Sequence, residues 1–300
     1  MFVMRIAAAN YPIQYHDSLE NWKIHVRTWL DELDGRQIEV AVFPEYGSIE
    51  LVSLLSKELQ VDLKGQILAL DTYLSAFRAY YADLAKEKNI IIVAPSYPIQ
   101  QGEKVINRVY VFSPSGEEGY QDKLFMTPFE TNEWGVSAGE PALTVFKTAK
   151  GSFGIQICYD SEFPVGSFEL AKAGAEVILL PSCTETMRGA IRVHVGGRAR
   201  ALENQCYTMV SQTMGEALWS PAVDYNYGYC AAYSTPDIGF PELGILQEGE
   251  HQKAGWMIQE FDLSLLQKVR KEGAVLNYKD SQRTSSFLNG EPIKVKIQEV

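Results

Sequence analysis

Apolar positions along this chain follow two alternating periodicities. Short β-rich runs, VMRIAAA near the start, IEVAVFPE ending at Glu45, and IIVAP, are separated by stretches whose apolar residues recur every three or four positions. The first such stretch predicts a helix from Ser18 to Leu33, carried by Leu19, Trp22, Val26, Leu30 and Leu33, with Asp17 as N-cap and Glu20 three residues on. The second predicts one long helix from about Gln66 to Lys88, with Ile67, Leu70, Leu74, Phe77, Tyr81 and Leu84 as its stripe. Next, VINRVYVFSP and EGYQDKLF flank the turn SPSGE and predict a hairpin that finishes near Lys123. The segment MTPFETNEWGVSAGEP reads as a loop. Strands then follow at LTVFKT, SFGIQIC and EVILLP, with a helix after Pro164 and a third long helix running towards Asn204. Late strands are expected at CYTMVSQ, GYCAAYS and WMIQEFD, before a polar, weakly patterned end.

This order of strands and helices predicts an α/β fold. No repeat, low-complexity tract or long linker interrupts it, so residues 1–275 read as one domain and 276–300 as a C-terminal tail. The chain has 300 residues, 46% of them hydrophobic, enough for a sizeable core. A net charge of −11 argues against electrostatic binding to nucleic acid or to an anionic membrane, which leaves small molecules as the expected partners. Cys158, Cys183, Cys206 and Cys230 have neither a disulfide framework nor paired CxxC spacing, so a reduced, cytoplasmic protein is expected. The N-terminal residues show no apolar leader, and no later run reaches the ~18 apolar residues of a membrane span.

Three polar residues end apolar strands: Glu45, Lys123 and Cys158. Strand ends are where sites gather in α/β proteins. Taken singly, these would be a solvated carboxylate, a surface lysine and an inert core thiol. Taken together they are a base, a cation and a nucleophile, the parts that acyl transfer needs. No metal-ligand spacing, Walker loop or dinucleotide fingerprint is found, so neither metal nor cofactor is expected.

The motifs Phe43-Pro44-Glu45, Lys123, Cys158-Tyr159-Asp160 with Phe163-Pro164, and Arg198–Gln205 resemble the nitrilase, or carbon-nitrogen hydrolase, superfamily. The resemblance runs from about Arg5 to Leu265. It implies a four-layer αββα sandwich made of two αββ halves, with homodimers forming an αββααββα stack. It also implies that Cys158 attacks the carbonyl or nitrile carbon, that Glu45 takes its proton and later activates water, and that Lys123 and the backbone N–H of Tyr159 face the oxyanion. Many members carry a second glutamate after the lysine. Glu133 is favoured here because it lies nearer Gly139, with Glu130 as the alternative.

Where many amidases of the family have an arginine before Phe-Pro, this chain has Ser161 and Glu162, which argues against a dicarboxylic amide. Thr235-Pro236-Asp237 likewise replaces the family's Asp-Pro-x-Gly. Glu162, His194, and Trp219 and Tyr225 of the aromatic loop 217–229 are the candidate substrate-binding residues, although a helix-start, structural or core role is open to each. Arg200 and Glu203 are expected to pair on their helix. The expected activity is hydrolysis of a small amide by water through a thioester. A nitrilase, an N-carbamoyl amine hydrolase, an N-acyltransferase and an inactive binding protein remain as alternatives.

Overall fold

A computed structural model describes residues 3–292, 294–296 and 298, so the end of the expected tail at 293, 297, 299 and 300 lies outside the described residues. In the first half of the sheet, Tyr97–Gln101, Lys104–Phe112, Ile91–Val93, Val40–Val42 and Val3–Pro12 lie side by side, with Gly255–Asp262 antiparallel to Val3–Pro12. In the second half, Tyr207–Glu216, Val177–Ser182, Ser152–Ile155 and Phe146–Lys147 follow in order. Val3–Pro12 and Val40–Val42, the central strands of the first half, read as nearly unbroken apolar runs because both of their faces are buried. On one face Ala7, Ala9, Tyr11, Ala41 and Phe43 pack with Trp22, Phe77 and Tyr81 of two outer helices, Leu19–Asp31 and Asp71–Lys88. On the other, Met4, Ile6, Ala8, Val40 and Val42 share a core with Phe153, Ile155, Val177 and Met209 of the second half. Helices Pro164–Lys172 and Met187–Asn204 cover the second half, giving the αββα layering. The halves meet where Asn10–Pro12 run parallel to Gln212–Met214. There the Ser211 hydroxyl lies 2.7 Å from the Ala9 carbonyl and 3.2 Å from that of Val42.

Several elements differ from their sequence expectation for identifiable reasons. The first helix runs from Leu19 to Asp31 and is capped by Ser18, not Asp17, because Ser18 Oγ accepts from Asn21 N at 3.1 Å. The single helix expected over Gln66–Lys88 is two, Leu63–Ala69 and Asp71–Lys88. The Leu70 carbonyl between them accepts from the buried Tyr97 hydroxyl at 2.6 Å. The segment read as a loop holds a wide helical turn, Glu130–Trp134, and a two-residue strand, Val136–Ser137, parallel to Val105–Ile106. The tail is not wholly unpatterned: it forms short helices at Asn277–Asp280 and Gln282–Leu288. Tyr278 N donates to Gln205 Oε1, and the Arg270 guanidinium lies over the Tyr278 ring. Among the described residues, no helix is long and apolar enough to cross a membrane.

The Met187–Asn204 helix presses closely on the turn Cys158–Glu162. A Cβ added at Gly196 would sit 2.8 Å from the Ser161 carbonyl oxygen, and Arg200 Nη1 donates to that same oxygen at 3.1 Å. Arg200 also pairs with Glu203, as the spacing predicts. His194, on the same helix, is buried and stacks on Tyr229 at 3.8 Å. Gln212 Oε1 accepts from the Tyr229 backbone N–H, so the His194 Nε2 that meets this oxygen carries the proton, and Nδ1 accepts from the Tyr233 hydroxyl at 2.8 Å. Burial pushes the His194 imidazole down to about 4.

Two outcomes follow for stability. Gly196→Ala should cost about 1–3 kcal/mol through overpacking against backbone, read as a lower denaturant midpoint. The neutral His194 is favoured by folding, so its stabilisation is complete above the unfolded pKa near 6.5 and is lost as pH falls towards 4, by on the order of 3 kcal/mol. Denaturant titrations from pH 7 to pH 4.5 should show a shallower loss in His194→Gln than in the wild type; parallel curves would refute this role.

Candidate active site

Glu45 directly follows the Val40–Val42 strand and Phe43-Pro44, and Tyr46 turns the chain away with a left-handed φ of 55°. Lys123 follows the Glu118–Asp122 strand. Cys158 opens the tight turn Cys158–Glu162 beyond Ser152–Ile155, again with a left-handed φ of 50°. Left-handed backbone at non-glycine residues is costly and collects at sites where surrounding structure enforces it. Here the enforcement is visible. Ser161 Oγ donates to the Cys158 carbonyl at 2.7 Å, while Asp160 accepts from the N–H groups of Ile157, Leu124 and Phe125. One buried carboxylate thus ties the Cys158 turn to the segment after Lys123.

The lysine is the centre of the arrangement. Its Nζ lies 2.8 Å from Glu45 Oε1 and 2.8 and 2.7 Å from the two oxygens of Glu130. Glu45 Oε1 also accepts from Asn107 Nδ2 at 2.9 Å, and its Oε2 accepts from the Cys183 N–H at 3.0 Å. The Cys183 carbonyl in turn lies 3.6 Å from Cys158 Sγ, so one residue touches both the candidate base and the candidate nucleophile. Glu130 is further held by the Tyr46 hydroxyl and by the N–H and hydroxyl of Thr127.

This geometry corrects the choice between the two glutamates. Glu130 is buried on the lysine, whereas Glu133 is exposed and lines the cavity. The local reason is a reciprocal capping arrangement, since Thr127 N donates to Glu130 Oε2 while Glu130 N meets Thr127 Oγ1. Thr127-Pro128-Phe129-Glu130 carries this signature in the sequence, and it is the signal that spacing from Gly139 overlooked. Asn107, Tyr46 and Cys183 carry no local signal of a place here, because each reaches the site through tertiary contacts.

Burial shapes the charges. It opposes the Lys123 ammonium most strongly, but Glu45 and Glu130 together outweigh it and hold the lysine protonated. Burial likewise opposes the Glu130 anion and is outweighed by Lys123, so Glu130 stays ionised. For Glu45, burial prevails over Lys123 and its carboxyl is raised. The Cys158 thiol is raised well above its ordinary value, first by burial and then by the Glu45 charge. Cys183 is pushed up to about 12 by the same two causes.

A cavity of about 540 Å³ opens over Glu45, Lys123 and Cys158 and also meets Tyr159, Glu162 and Tyr225. Two of the expected substrate contacts do not reach it. His194 is locked between Tyr233 and Gln212, and Trp219 packs edge-on against Tyr15 beside the first core. Glu162 does line the cavity, but Arg192 grips it, with Nε donating to Oε1 at 2.9 Å.

Comparisons with known proteins agree with this architecture. A probable hydrolase, YhcX of Bacillus subtilis, is 33% identical over 282 residues, covering 94% of this chain and 54% of the relative. The chloroplastic omega-amidase of Arabidopsis thaliana is 30% identical over 202 residues, covering 64% of this chain and 51% of its own length. The chain therefore spans about half the length of these curated relatives. Among solved structures, a carbon-nitrogen hydrolase from Helicobacter pylori superposes with a TM-score of 0.77 at 16% identity, over 96% of this chain and 98% of that one. Saccharomyces cerevisiae Nit3, of the nitrilase superfamily, gives 0.66 at 21%, over 90% and 93%. Residues 5–271 match the carbon-nitrogen hydrolase family, and the chain belongs to that family.

Proposed function

We propose that this carbon-nitrogen hydrolase cleaves a small linear amide through a thioester on Cys158. The observation that carries the reading is the buried Glu45–Lys123–Glu130 array, with 2.7–2.8 Å contacts, in the wall of the cavity that also exposes Cys158. Relatives named as an omega-amidase and as the human deaminated glutathione amidase support an amide as the bond attacked.

The raised thiol means that Cys158 rests protonated, unlike a cysteine beside an imidazolium. Attack of Sγ on the carbonyl carbon is therefore coupled to transfer of its proton to Glu45, whose raised affinity for protons suits it as a base. The carbonyl π pair becomes an oxyanion facing Lys123 Nζ and the Tyr159 N–H. Collapse restores the C=O bond and expels the amine or ammonia, which takes the proton from Glu45. Water then attacks the thioester and gives a proton to Glu45. The second collapse breaks the C–S bond, releases the carboxylic acid and returns the proton to sulfur. Glu130 is a positioning residue that holds the lysine cationic and fixes its direction.

The cavity mouth favours a neutral or cationic amide over an anionic one. Glu133, Glu185 and Asp224 line it, and its one arginine, Arg192, is engaged by Glu162. A substrate carboxylate would meet acidic groups there.

Two measurements test the reading. Mixing the protein with a pool of small amides and quenching within seconds should give a mass increase that Cys158→Ala abolishes together with all turnover; turnover surviving in Cys158→Ala would overturn the mechanism. Glu130→Gln should lower kcat by at least ~10-fold, because the lysine loses a charged partner, while Glu133→Gln stays within about threefold of wild type. The reverse order would move the positioning role to Glu133.

A further inference from the structure

The fold assembles a second polar cluster on the helix side of the first half, outside the cavity. His16 lies in the loop after the first strand, His25 on the helix Leu19–Asp31, and Glu50 on the turn Gly47–Leu54 that follows Glu45 and Tyr46. Their ligand atoms, one from each residue, all lie within 4.8 Å of one another. Sequence spacing predicts no metal site, since the three are far apart along the chain and form no motif.

The chemistry of the cluster is incomplete as it stands. Glu50 is 1% exposed, and among the described residues no lysine or arginine pairs with it. The Nε2 atoms of His16 and His25 are both buried without a hydrogen-bond partner, and His16 as a whole is 6% exposed. Each Nε2 stands 3.6 Å from a different Glu50 oxygen, beyond hydrogen-bonding distance. Two ligands bound at about 2.1 Å to one tetrahedral ion lie about 3.4 Å apart, close to that separation. The carboxylate is also oriented from behind, as metal ligands are, by the Tyr11 hydroxyl on Oε2 and the Gln14 N–H on Oε1, both at 2.8 Å. A dication would neutralise the buried carboxylate and satisfy both imidazoles at once.

We infer that His16, His25 and Glu50 form a site for a divalent transition metal with zinc-like preferences, which ties the turn following Glu45 to the first strand's loop and the first helix. Two imidazoles and one carboxylate suit zinc, with water as the remaining ligand.

The test uses the full chain carrying Cys158→Ala, so that the site thiol cannot take up metal, stripped by a chelator and titrated with Co²⁺ and then Zn²⁺. Expected are one ion per chain, cobalt d–d bands without sulfur-to-cobalt charge transfer, and a zinc-dependent rise in Tm of about 5 °C at saturation. His16→Asn and His25→Asn should each weaken uptake at least ~100-fold. Absent uptake, a charge-transfer band that places the ion on cysteine, or uptake unchanged in both folded Asn variants would overturn the site. If either variant fails to fold by circular dichroism, the cobalt spectrum and stoichiometry of the unsubstituted histidine cluster decide alone.

Discussion

One buried ammonium organises the candidate site. Two carboxylates at hydrogen-bond distance, both out of water, would repel each other and neutralise by protonation if Lys123 were absent. With Lys123 between them, Glu130 stays charged, while at Glu45 burial prevails and the carboxyl is raised. The surrounding donors have the same logic. Asn107 and the Cys183 N–H fix Glu45, while Tyr46 and Thr127 fix Glu130, so the lysine has little freedom in where it points. A cation held in this way would meet negative charge developing nearby without having to reorganise.

The layer architecture was legible because strands buried on both faces leave unbroken apolar runs, and those runs alternate with helical stripes. Glu45 and Cys158 were legible as polar residues closing such runs, whereas the strand before Lys123, Glu118–Asp122, is itself polar. What escaped was set by partners distant in the chain. The break at Leu70 depends on the Tyr97 hydroxyl, which no local pattern announces. Cys183 serves the site through its backbone, so its side-chain identity gave no clue. Glu130 was within reach of local reasoning through its capping partner Thr127, and spacing to a downstream glycine misdirected the choice.

His194 and Trp219 show a related limit. A histidine near a site and an aromatic loop both suggest a pocket, but whether a side chain faces a cavity or a core depends on a rotation of one residue along a helix or turn. Arg192 and Val193 line the cavity, while the next residue, His194, is turned into the protein. Sequence periodicity places the helix and leaves that last rotation to packing.

The meeting of the two halves at Asn10–Pro12 and Gln212–Met214 has a consequence for biosynthesis. Glu45 and Lys123 belong to the half that leaves the ribosome first, Cys158 and Cys183 to the half that leaves later. The first half is itself completed by Gly255–Asp262, the last strand to emerge, which pairs along Val3–Asn10, so Glu45 and Lys123 gain their full backing only after Cys158 and Cys183 have been made. Assembly of the four groups at one cavity therefore waits for the whole chain.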